Sequence, residues 1–281
     1  MDDAGEIVWR KREATPAESY HAILNTLEIL IHAADAHAGN AVDIGIGMPG
    51  SLSPKTGKIR NSNTQCLIGK PFREDMQNRL EREVRLANDA NCFALSESKD
   101  GAGVGAHAVF GVIIGTGCGG GLVINGQLQI GANGIGGEWG HNPLAAPRAD
   151  EVPGPPCYCG RNSCNEVWLS GTGLARDHYE TTGEKCSAIE IAAQKTPEAK
   201  ASIERLADRL ARALGAVINL VDPDVIVLGG GLSNIDLLYT RVPELWADYI
   251  FSDVINTRLL PNKHGDSSGV RGAAWLWPNG R

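Results

Sequence analysis

The sequence predicts an α/β fold with a metal-clamped loop, and three features of the chain lead to that prediction. Short apolar runs typical of strands alternate with helical apolar stripes along the 281 residues. Glycine clusters follow two of the predicted strands, at residues 115–121 and 229–231. One histidine and three cysteines fall within residues 141–164, with a density typical of zinc sites.

The first half of the chain alternates predicted strands with predicted helices. Thr15 has the character of a helix N-cap, Pro16 suits the first helical position, and Glu18 is the acid of a capping box. Gly39-Asn40 is a typical end for that helix. The strands are predicted at 6–12, 42–48 and 84–87, and the helices from Thr15 to the Gly39 stop, over 71–83, and from about residue 90 onward.

The second half repeats this alternation after a lobe boundary predicted near residues 105–109. Asn125-Gly126 lies between two apolar runs, which is the strongest short-range signal for a β-hairpin. Thr196-Pro197 is a typical start for the longest predicted helix. The strands are predicted at 109–114, 122–124, 127–130 and 224–228, and the helices at 165–177, 187–195, 197–221, 234–250 and 267–277.

Composition and charge argue against several classes of protein. The chain has 26 basic and 33 acidic residues, a net charge of −7, and no basic run of the kind that binds nucleic acid. It has no apolar run of membrane length and no signal-peptide pattern, so we expect no membrane partner and a cytoplasmic location. Seven cysteines, three of them in the metal cluster, fit a reducing compartment.

The predicted metal cluster consists of His141, Cys157, Cys159 and Cys164. Three thiolates and one imidazole complete a tetrahedral shell that suits Zn²⁺, and a filled shell indicates a structural ion rather than a catalytic one. The zinc would clamp residues 136–166, which we call the zinc loop. The alternative is a free histidine beside buried thiols, and the density of the cysteines favours zinc.

The glycine cluster at 115–121 contains the pattern Gly-x-Gly-x-x-Gly, but a dinucleotide-binding fold requires a helix directly after it. A strand and a hairpin follow instead, which argues against that fold. Backbone N–H groups of such a loop can still converge on a phosphate, and a merely tight hairpin is the alternative. The candidate phosphate-binding residues are Thr116, Gly117, Cys118, Gly119, Gly120 and Gly121.

A second glycine cluster, Gly229, Gly230 and Gly231, follows the predicted strand 224–228. Open α/β sheets bind their ligands at the carboxyl ends of strands. Three residues without side chains would let a flat ligand such as an adenine ring approach the backbone, and glycines required for packing are the alternative.

Asn88 and Asp89 lie where a predicted strand meets a helix. There the Asp89 carboxylate could accept a proton from a substrate hydroxyl, or act as the helix N-cap. A zinc in the cluster would also bring Glu138 close to Glu166. Two carboxylates beside the His141 imidazole suit the binding of adjacent sugar hydroxyls. A solvated helix position is the alternative for each glutamate.

Seven segments of the chain together carry a family resemblance. They are GIGMPGSLSPKTG at 45–57, RLANDANC at 85–92, IIGTGCGGGLVING at 113–126, GGEWGHNPL at 136–144, CYCGRNSCNE at 157–166, DPDVIVLGGGLSN at 222–234 and HGDSSGVRGAAWLW at 264–277. From about residue 3 to residue 281 the sequence resembles the ROK family of sugar kinases (repressors, open reading frames, kinases). Within that family it looks most similar to bacterial fructokinases of the manno(fructo)kinase type.

The resemblance implies a two-lobed actin/hexokinase-like (ribonuclease H-like) fold and ATP-dependent phosphorylation of a hexose, with D-fructose converted to fructose 6-phosphate. It also implies ATP with Mg²⁺ between the lobes, a structural Zn²⁺, and a homodimer as a candidate assembly. Asp89 carries over as the general base, a role compatible with capping the helix. Asn88, Asp89, Glu138, His141 and Glu166 carry over as sugar ligands, His141, Cys157, Cys159 and Cys164 as the zinc set, 116–121 as the phosphate loop, and 229–231 as the adenosine contact.

The resemblance also implies a division into an N-terminal lobe, 1–107, and a C-terminal lobe, 108–281, with the last helix packed back onto the first lobe. The family opens with a hairpin that carries an Asp-x-Gly-Gly-Thr loop, and we expect the N-terminal lobe to be incomplete without it, leaving strand 6–12 without a partner. Two function classes then remain open, an active kinase and a zinc-containing, sugar-binding pseudokinase. A ROK repressor would need a helix-turn-helix domain or a basic segment.

Overall fold

The computed structural model describes residues 1–277. Helices and short strands alternate along most of this length. The strands are β1 (Ile44–Met48), β2 (Ser51–Leu52), β3 (Ile59–Arg60), β4 (Val84–Asn88), β5 (Ala108–Ile114), β6 (Cys118–Ile124), β7 (Gln127–Leu128), β8 (Val225–Gly229) and β9 (Arg258–Pro261). The helices are α1 (Tyr20–Ala38), α2 (Phe72–Leu80), α3 (Asp89–Lys99), α4 (Asn165–Leu169), α5 (Gly171–Thr182), α6 (Ala188–Ala193), α7 (Pro197–Val221), α8 (Leu237–Leu245) and α9 (Ser268–Ala274).

The main sheet has the strand order β7-β6-β5-β8-β9. Its centre, β5, pairs antiparallel with β6 and parallel with β8, and β8 pairs parallel with β9. A second, parallel pair is formed by β1 and β4, in which Met48 lies opposite Asn88. The carboxyl end of β4 thereby delivers Asn88 to the kind of sheet edge where α/β proteins bind ligands.

Helices cover both faces of the main sheet, because side chains alternate between the two faces along each strand. Phe110 and Val112 of β5 belong to the hydrophobic core that includes α7. Val109 of β5 and Val225 of β8 belong instead to the core that includes Phe93 of α3. A mixed sheet with helices on both faces is consistent with the α/β class that the alternation of elements predicts.

Helix α9 packs against α3 and β1. A Cβ atom added at Gly272 would lie 1.7 Å from the carbonyl oxygen of Cys92, and one at Gly45 would lie 1.7 Å from the carbonyl oxygen of Ala273. The backbones therefore touch, and only glycine fits at either position. The division into two lobes stays a prediction, and residues 278–281 of the expected C-terminal lobe lie outside the described residues.

Several predicted boundaries are confirmed. Helix α1 ends at Gly39, whose φ of +74° is left-handed and whose N–H donates to the carbonyl of Asp35. The hairpin turn falls at Asn125 and Gly126, which have φ values of +53° and +68°. Helix α7 spans 197–221 with Thr196 as its N-cap. Like every other described helix, α7 lacks the combination of length and apolar character needed to cross a bilayer.

Two predictions near the start of the chain are wrong. Residues 6–12 form no strand, because no described strand lies beside them to complete a hydrogen-bonded ladder, and Val8 is 59% exposed. The first helix begins at Tyr20 rather than just after Thr15. A turn in which the Ser19 N–H donates to the carbonyl of Pro16 comes first, and the Ser19 hydroxyl then caps the helix.

Four further differences lie in the second half of the chain. Gly119, Gly120 and Gly121 belong to β6 and are not part of a loop. The helix predicted at 165–177 is two helices, since Ser170 leaves the helical conformation and caps α5. The helix predicted at 234–250 is reduced to α8, preceded and followed by 3₁₀ turns. The sequence analysis also missed β9, whose four residues include Pro261 on the edge of the sheet.

Candidate active site

The glycines of β6 let two segments meet at the candidate site. A Cβ atom at Gly120 would lie 2.7 Å from Cδ1 of Trp139, and one at Gly121 would lie 2.8 Å from the carbonyl oxygen of Ala90. The start of α3 and the turn that begins at Trp139 therefore rest directly on opposite faces of β6. Packing explains these glycines, and the loop available to bind phosphate is limited to residues 115–117.

Asn88 and Asp89 occupy the junction between β4 and α3. The N-cap of α3 is Asn88, whose Oδ1 accepts the Ala90 N–H at 2.9 Å while its Nδ2 donates to the carbonyl of Gly50 at 3.1 Å. Oδ1 of Asp89 accepts the same Ala90 N–H at 2.8 Å. Loss of surrounding water raises the pKa of the Asp89 carboxyl, against the lowering effect of that hydrogen bond. Asp89 is thus fixed in position with a strengthened affinity for a proton.

Glu138 lies within electrostatic reach of the other candidate groups. Desolvation raises the pKa of the Glu138 carboxyl most strongly. The nearby His141 opposes that rise, the negative charges of Asp89 and Glu166 add to it, and the Arg60 guanidinium opposes it. The structure therefore places Asp89, His141 and Glu166 within electrostatic reach of Glu138, although they come from separate parts of the chain. We call the region between these four residues the candidate cleft.

Glu166, in the first turn of α4, connects this cleft to the loop 115–117. Its Oε2 accepts the backbone N–H of Cys118 at 2.9 Å. A Cβ atom at Gly117 would lie 2.7 Å from the same oxygen, so a side chain at residue 117 would push the Glu166 carboxylate out of its present position. Cys118 contributes its backbone N–H here, while its thiol is buried.

The four predicted zinc ligands converge. The donor atoms of His141, Cys157, Cys159 and Cys164 all lie within 4.8 Å of one another. Nδ1 of His141 is 3.6 Å from Sγ of Cys157, and the Sγ atoms of Cys159 and Cys164 are also 3.6 Å apart. A tetrahedral site with zinc–sulfur distances of about 2.3 Å requires sulfurs about 3.8 Å apart. The donor set and its spacing fit a structural Zn²⁺, whose presence stays a prediction.

The surroundings of the cluster also favour a metal. Hydrogen bonds from the backbone and side chain of Arg161 lower the pKa of the Cys159 thiol to about 6, which favours the thiolate form that binds metals. Nε2 of His141 lies 3.0 Å from the hydroxyl of Tyr158, a side chain that is 83% exposed. With Nδ1 directed at the cysteines and Nε2 directed outward, His141 can serve a metal and a ligand in the cleft together.

The middle of the zinc loop is held by a different device, which the sequence analysis missed. Glu151 is 4% exposed and accepts hydrogen bonds from Arg212 at 2.7 and 2.8 Å and from Arg209 at 2.8 Å. Arg209 in turn donates to Asp177 of α5 at 2.6 Å. Burial by itself raises the pKa of Glu151, but hydrogen bonds from Arg212, from the backbone N–H of Arg148 and from Arg209 more than offset this and lower it to about 2.

A cavity of about 700 Å³ lies beside the loop 115–117. Small and apolar side chains make up most of its wall. It is lined by Gly115, Thr116, Gly171, Thr172, Ala175, Ser187, Ala188, Ile189, Ala192, Gly231, Leu232, Asn234 and Ile235. Its size and apolar wall suit a small organic ligand such as a nucleoside.

Thr116 and Gly231 are the predicted nucleotide residues that line this cavity. Gly229 has another role, since a Cβ atom there would lie 2.5 Å from the ring of Phe93. Residue 230 must be glycine for two reasons. Its φ is +81°, and a Cβ atom there would lie 2.5 Å from the carbonyl oxygen of Ile114. The walls supplied by α5 and α6 were missed, although the small residues Ser-Gly-Thr-Gly at 170–173 were a usable signal.

Comparisons with known proteins give a consistent result. The sequence matches the ROK family over residues 1–279. It is 40% identical over 276 residues to a protein of Pectobacterium carotovorum named N-acetyl-D-glucosamine kinase, an alignment that covers 96% of this chain and 91% of the relative. A second relative of that name, from Yersinia pseudotuberculosis, is 38% identical over 283 residues, with 98% of this chain and 93% of the relative covered.

Solved structures support the same assignment. The ROK hexokinase of Thermus thermophilus superposes with a TM-score of 0.82 at 30% identity, covering 93% of this chain and 87% of that one. A ROK glucokinase of Streptomyces griseus, solved with glucose and AMPPNP, gives a TM-score of 0.79 at 26% identity, covering 99% and 94%. These likenesses confirm the mixed α/β fold of ROK hexokinases. The chain belongs to the ROK family.

Proposed function

We propose that this protein is an ATP-dependent sugar kinase that phosphorylates N-acetyl-D-glucosamine. Family membership and the names of the relatives support a sugar kinase. The D-fructose preference expected from the sequence is not supported, because those relatives are named as N-acetylglucosamine kinases. The observation that carries the proposal is the position of Asp89 at a strand end, within electrostatic reach of Glu138. His141 and Glu166 act on the same carboxylate, and Glu166 binds the backbone at Cys118, close in sequence to Thr116 at the cavity wall.

Asp89 is the proposed general base. A sugar hydroxyl that attacks the γ-phosphate of ATP must lose its proton, and a fixed carboxylate beside that hydroxyl can accept it. Loss of surrounding water raises the pKa of Asp89, which makes its carboxylate a better proton acceptor. The hydrogen bond to the Ala90 N–H holds one carboxylate oxygen, which orients the group toward the cleft.

The remaining residues of the cleft are the proposed sugar ligands. Glu138 and Glu166 offer carboxylate oxygens that can accept hydrogen bonds from sugar hydroxyls, and Asn88 directly precedes Asp89. If Zn²⁺ binds Nδ1 of His141, the ring proton must lie on Nε2, so His141 becomes a fixed hydrogen-bond donor. Donors and acceptors in fixed positions would discriminate among the hydroxyl patterns of different sugars.

The cavity of about 700 Å³ is the proposed adenosine site, with Thr116 and the backbone of 115–117 at the phosphate end. When bound, Mg²⁺ would neutralise phosphate charge during transfer. Glu166 ties the backbone at Cys118 to the sugar side, so the same residue contacts both halves of the proposed site. Phosphoryl transfer depends on positioning, and this contact aligns the two substrates.

The test is an ATP-dependent ADP-release assay with N-acetyl-D-glucosamine, D-glucose and D-fructose on wild-type protein, Asp89→Asn and Asp43→Asn. We expect the highest kcat/KM for N-acetyl-D-glucosamine. Loss of a general base costs about 10²–10⁴-fold in turnover, so Asp89→Asn should lose that much and keep most of its sugar affinity. Asp43 is exposed at the other end of β1, and its variant controls for the charge change.

Three outcomes would contradict parts of the proposal. Equal or faster turnover of D-fructose would refute the assignment of the sugar. Binding of the sugar by calorimetry without ADP release for any of the three sugars would favour the pseudokinase. Wild-type turnover in Asp89→Asn would reduce that residue to a structural partner of the Ala90 N–H.

A further inference from the structure

A second group of possible metal ligands lies between α5 and α6, apart from the zinc loop. His178 is in the last turns of α5, and Glu184 and Cys186 are in the connection that leads to α6. Their ligand atoms lie within 4.8 Å of one another. His178 is completely buried, Cys186 is half-buried and Glu184 is exposed, so the group opens toward solvent on one side.

The hydrogen bonds of Ser202 determine which nitrogen of His178 carries the proton. The Ser202 hydroxyl donates to the carbonyl of Glu198 at 3.2 Å and accepts from Nη2 of Arg205 at 2.9 Å. Nδ1 of His178 lies 3.0 Å from the same hydroxyl oxygen. Because the hydroxyl has only one hydrogen and it is already donated, Nδ1 must donate to the oxygen. In the neutral ring, Nε2 then carries no proton, and its electron pair can bind a metal.

Nε2 of His178 has no hydrogen-bond partner among the described residues, although it is buried. The nearest acidic oxygen, Oε2 of Glu184, is 3.9 Å away and is itself an acceptor. The sulfur of Cys186 accepts from Nε2 of Gln194 at 3.4 Å and lies within 4.8 Å of the ligand atoms of both His178 and Glu184. Three electron-pair donors therefore converge, and a buried unsatisfied nitrogen is costly.

We propose that His178, Glu184 and Cys186 bind a second divalent cation of the zinc type. Imidazole, thiolate and carboxylate are all zinc ligands, and three protein ligands leave a fourth position for water on the exposed side. Binding releases the thiol proton of Cys186 to solvent and leaves the sulfur as a thiolate. The hydrogen bond from Nδ1 to Ser202 is the outer contact that a metal-bound histidine usually makes.

The position of this site gives it a structural consequence. Ser187, directly after Cys186, caps α6 and lines the cavity of about 700 Å³ together with Ala188. A cation bound to His178 of α5 and to the connection before Ser187 would join two walls of that cavity. The ion is expected to fix the distance between α5 and the start of α6.

The experiment measures zinc per chain after equilibrium dialysis of the full-length protein against buffered free Zn²⁺. Wild-type protein should hold about two zinc ions, one in each cluster, whereas Cys186→Ser and Glu184→Gln should hold about one. Cys66→Ser and Glu180→Gln remove a half-buried thiol and an exposed carboxylate elsewhere and should keep two. Glu184 is exposed, so its variant tests the site without disturbing the core.

Substitution with Co²⁺ gives an independent readout, because a cation bound to a single thiolate absorbs differently from one bound to three. The expected difference spectrum between wild-type protein and Cys186→Ser is that of a one-thiolate site. About one zinc per chain in wild-type protein, or two in both site variants, would overturn the proposal. The first result would mean that Nε2 of His178 is not a metal ligand. Neither measurement depends on kinase activity.

Discussion

The zinc loop contains two clusters of side chains that can hold it in place, the predicted metal cluster and an ion-pair cluster. They differ in where their residues lie in the sequence. At one place, His141, Cys157, Cys159 and Cys164 converge within 4.8 Å, and all four belong to the loop itself. At the other, the buried Glu151 is paired with Arg209 and Arg212, which are 58 and 61 residues away on α7.

The contrast shows that one loop can combine a local clamp with a long-range one. The metal cluster needs only the loop to fold back on itself around an ion. The ion-pair cluster requires α7 to be complete and packed before Glu151 can leave water, since an unpaired buried carboxylate is strongly unfavourable. With zinc bound, the first device would shape the proposed sugar site through His141, while the second attaches the loop to the rest of the fold.

The largest expected effect follows from removing the metal clamp. Cys159→Ser should lose the predicted zinc, because structural zinc sites contribute about 10 kcal/mol or more and depend on every ligand. The loop around His141 should lose order, and affinity for N-acetyl-D-glucosamine should fall about 100-fold or more. Metal analysis and calorimetry measure the two effects, with Cys66→Ser as the control. Retention of full zinc content and sugar affinity would contradict the clamp.

Removing the long-range clamp should destabilise the fold and spare the metal. Glu151→Gln removes the carboxylate that Arg209 and Arg212 share, and breaking a buried ion pair typically costs about 3–5 kcal/mol in the free energy of unfolding. Because Asp177 still pairs with Arg209 and Asp208 with Arg212, we expect a loss at the lower end of that range. Urea unfolding measures this loss. Glu204→Gln breaks a half-exposed pair with Arg241 and should cost about 1 kcal/mol or less. A variant of Glu151 that loses zinc with unchanged stability would contradict the division of roles.

Acid should weaken the ion-pair clamp within a defined pH range. The pKa of Glu151 is lowered from 4.5 to about 2 in the folded protein. Because the folded pKa is the lower one, the stabilisation is fully present above the unfolded value and is lost as the pH falls toward about 2. The stability difference between wild-type protein and Glu151→Gln should therefore shrink below the unfolded pKa. Urea unfolding at several pH values tests this, and a difference that stays constant across that range would be inconsistent with the pairing.

The smallest effect is expected from removing the hydrogen-bond partner of Nε2 of His141, the hydroxyl of Tyr158. Tyr158→Phe removes the hydroxyl 3.0 Å from Nε2 but leaves Nδ1 and the cysteines unchanged. One exposed hydrogen bond is worth about 1 kcal/mol, so the KM for the sugar should fall by no more than about fivefold as Nε2 becomes free for the substrate. Zinc content should stay constant. Loss of zinc in this variant would show that Tyr158 supports the metal directly.

Local sequence features predicted the structure well wherever a few neighbouring residues decide the outcome. The Thr196 cap, the Gly39 stop and the Asn125-Gly126 turn all act within about four residues, and each is found as predicted. Thr15 failed as a cap because Ser19, only four residues later, is an equally suitable hydroxyl. When two nearby residues are equally good N-caps, the sequence does not show which one starts the helix, because the packing around them decides.

The sequence by itself determined the α/β class, the family and the set of zinc-ligand candidates, because periodicity, caps and closely spaced donors are properties of short segments. Only the tertiary structure decided that the glycines of β6 serve packing, since the contacts of Gly120 and Gly121 come from Trp139 and Ala90 on other elements. It also decided which arginines pair with Glu151 and that the buried Nε2 of His178 has no hydrogen-bond partner among the described residues. Burial and pairing across long stretches of chain depend on where helices pack, and no short segment encodes that.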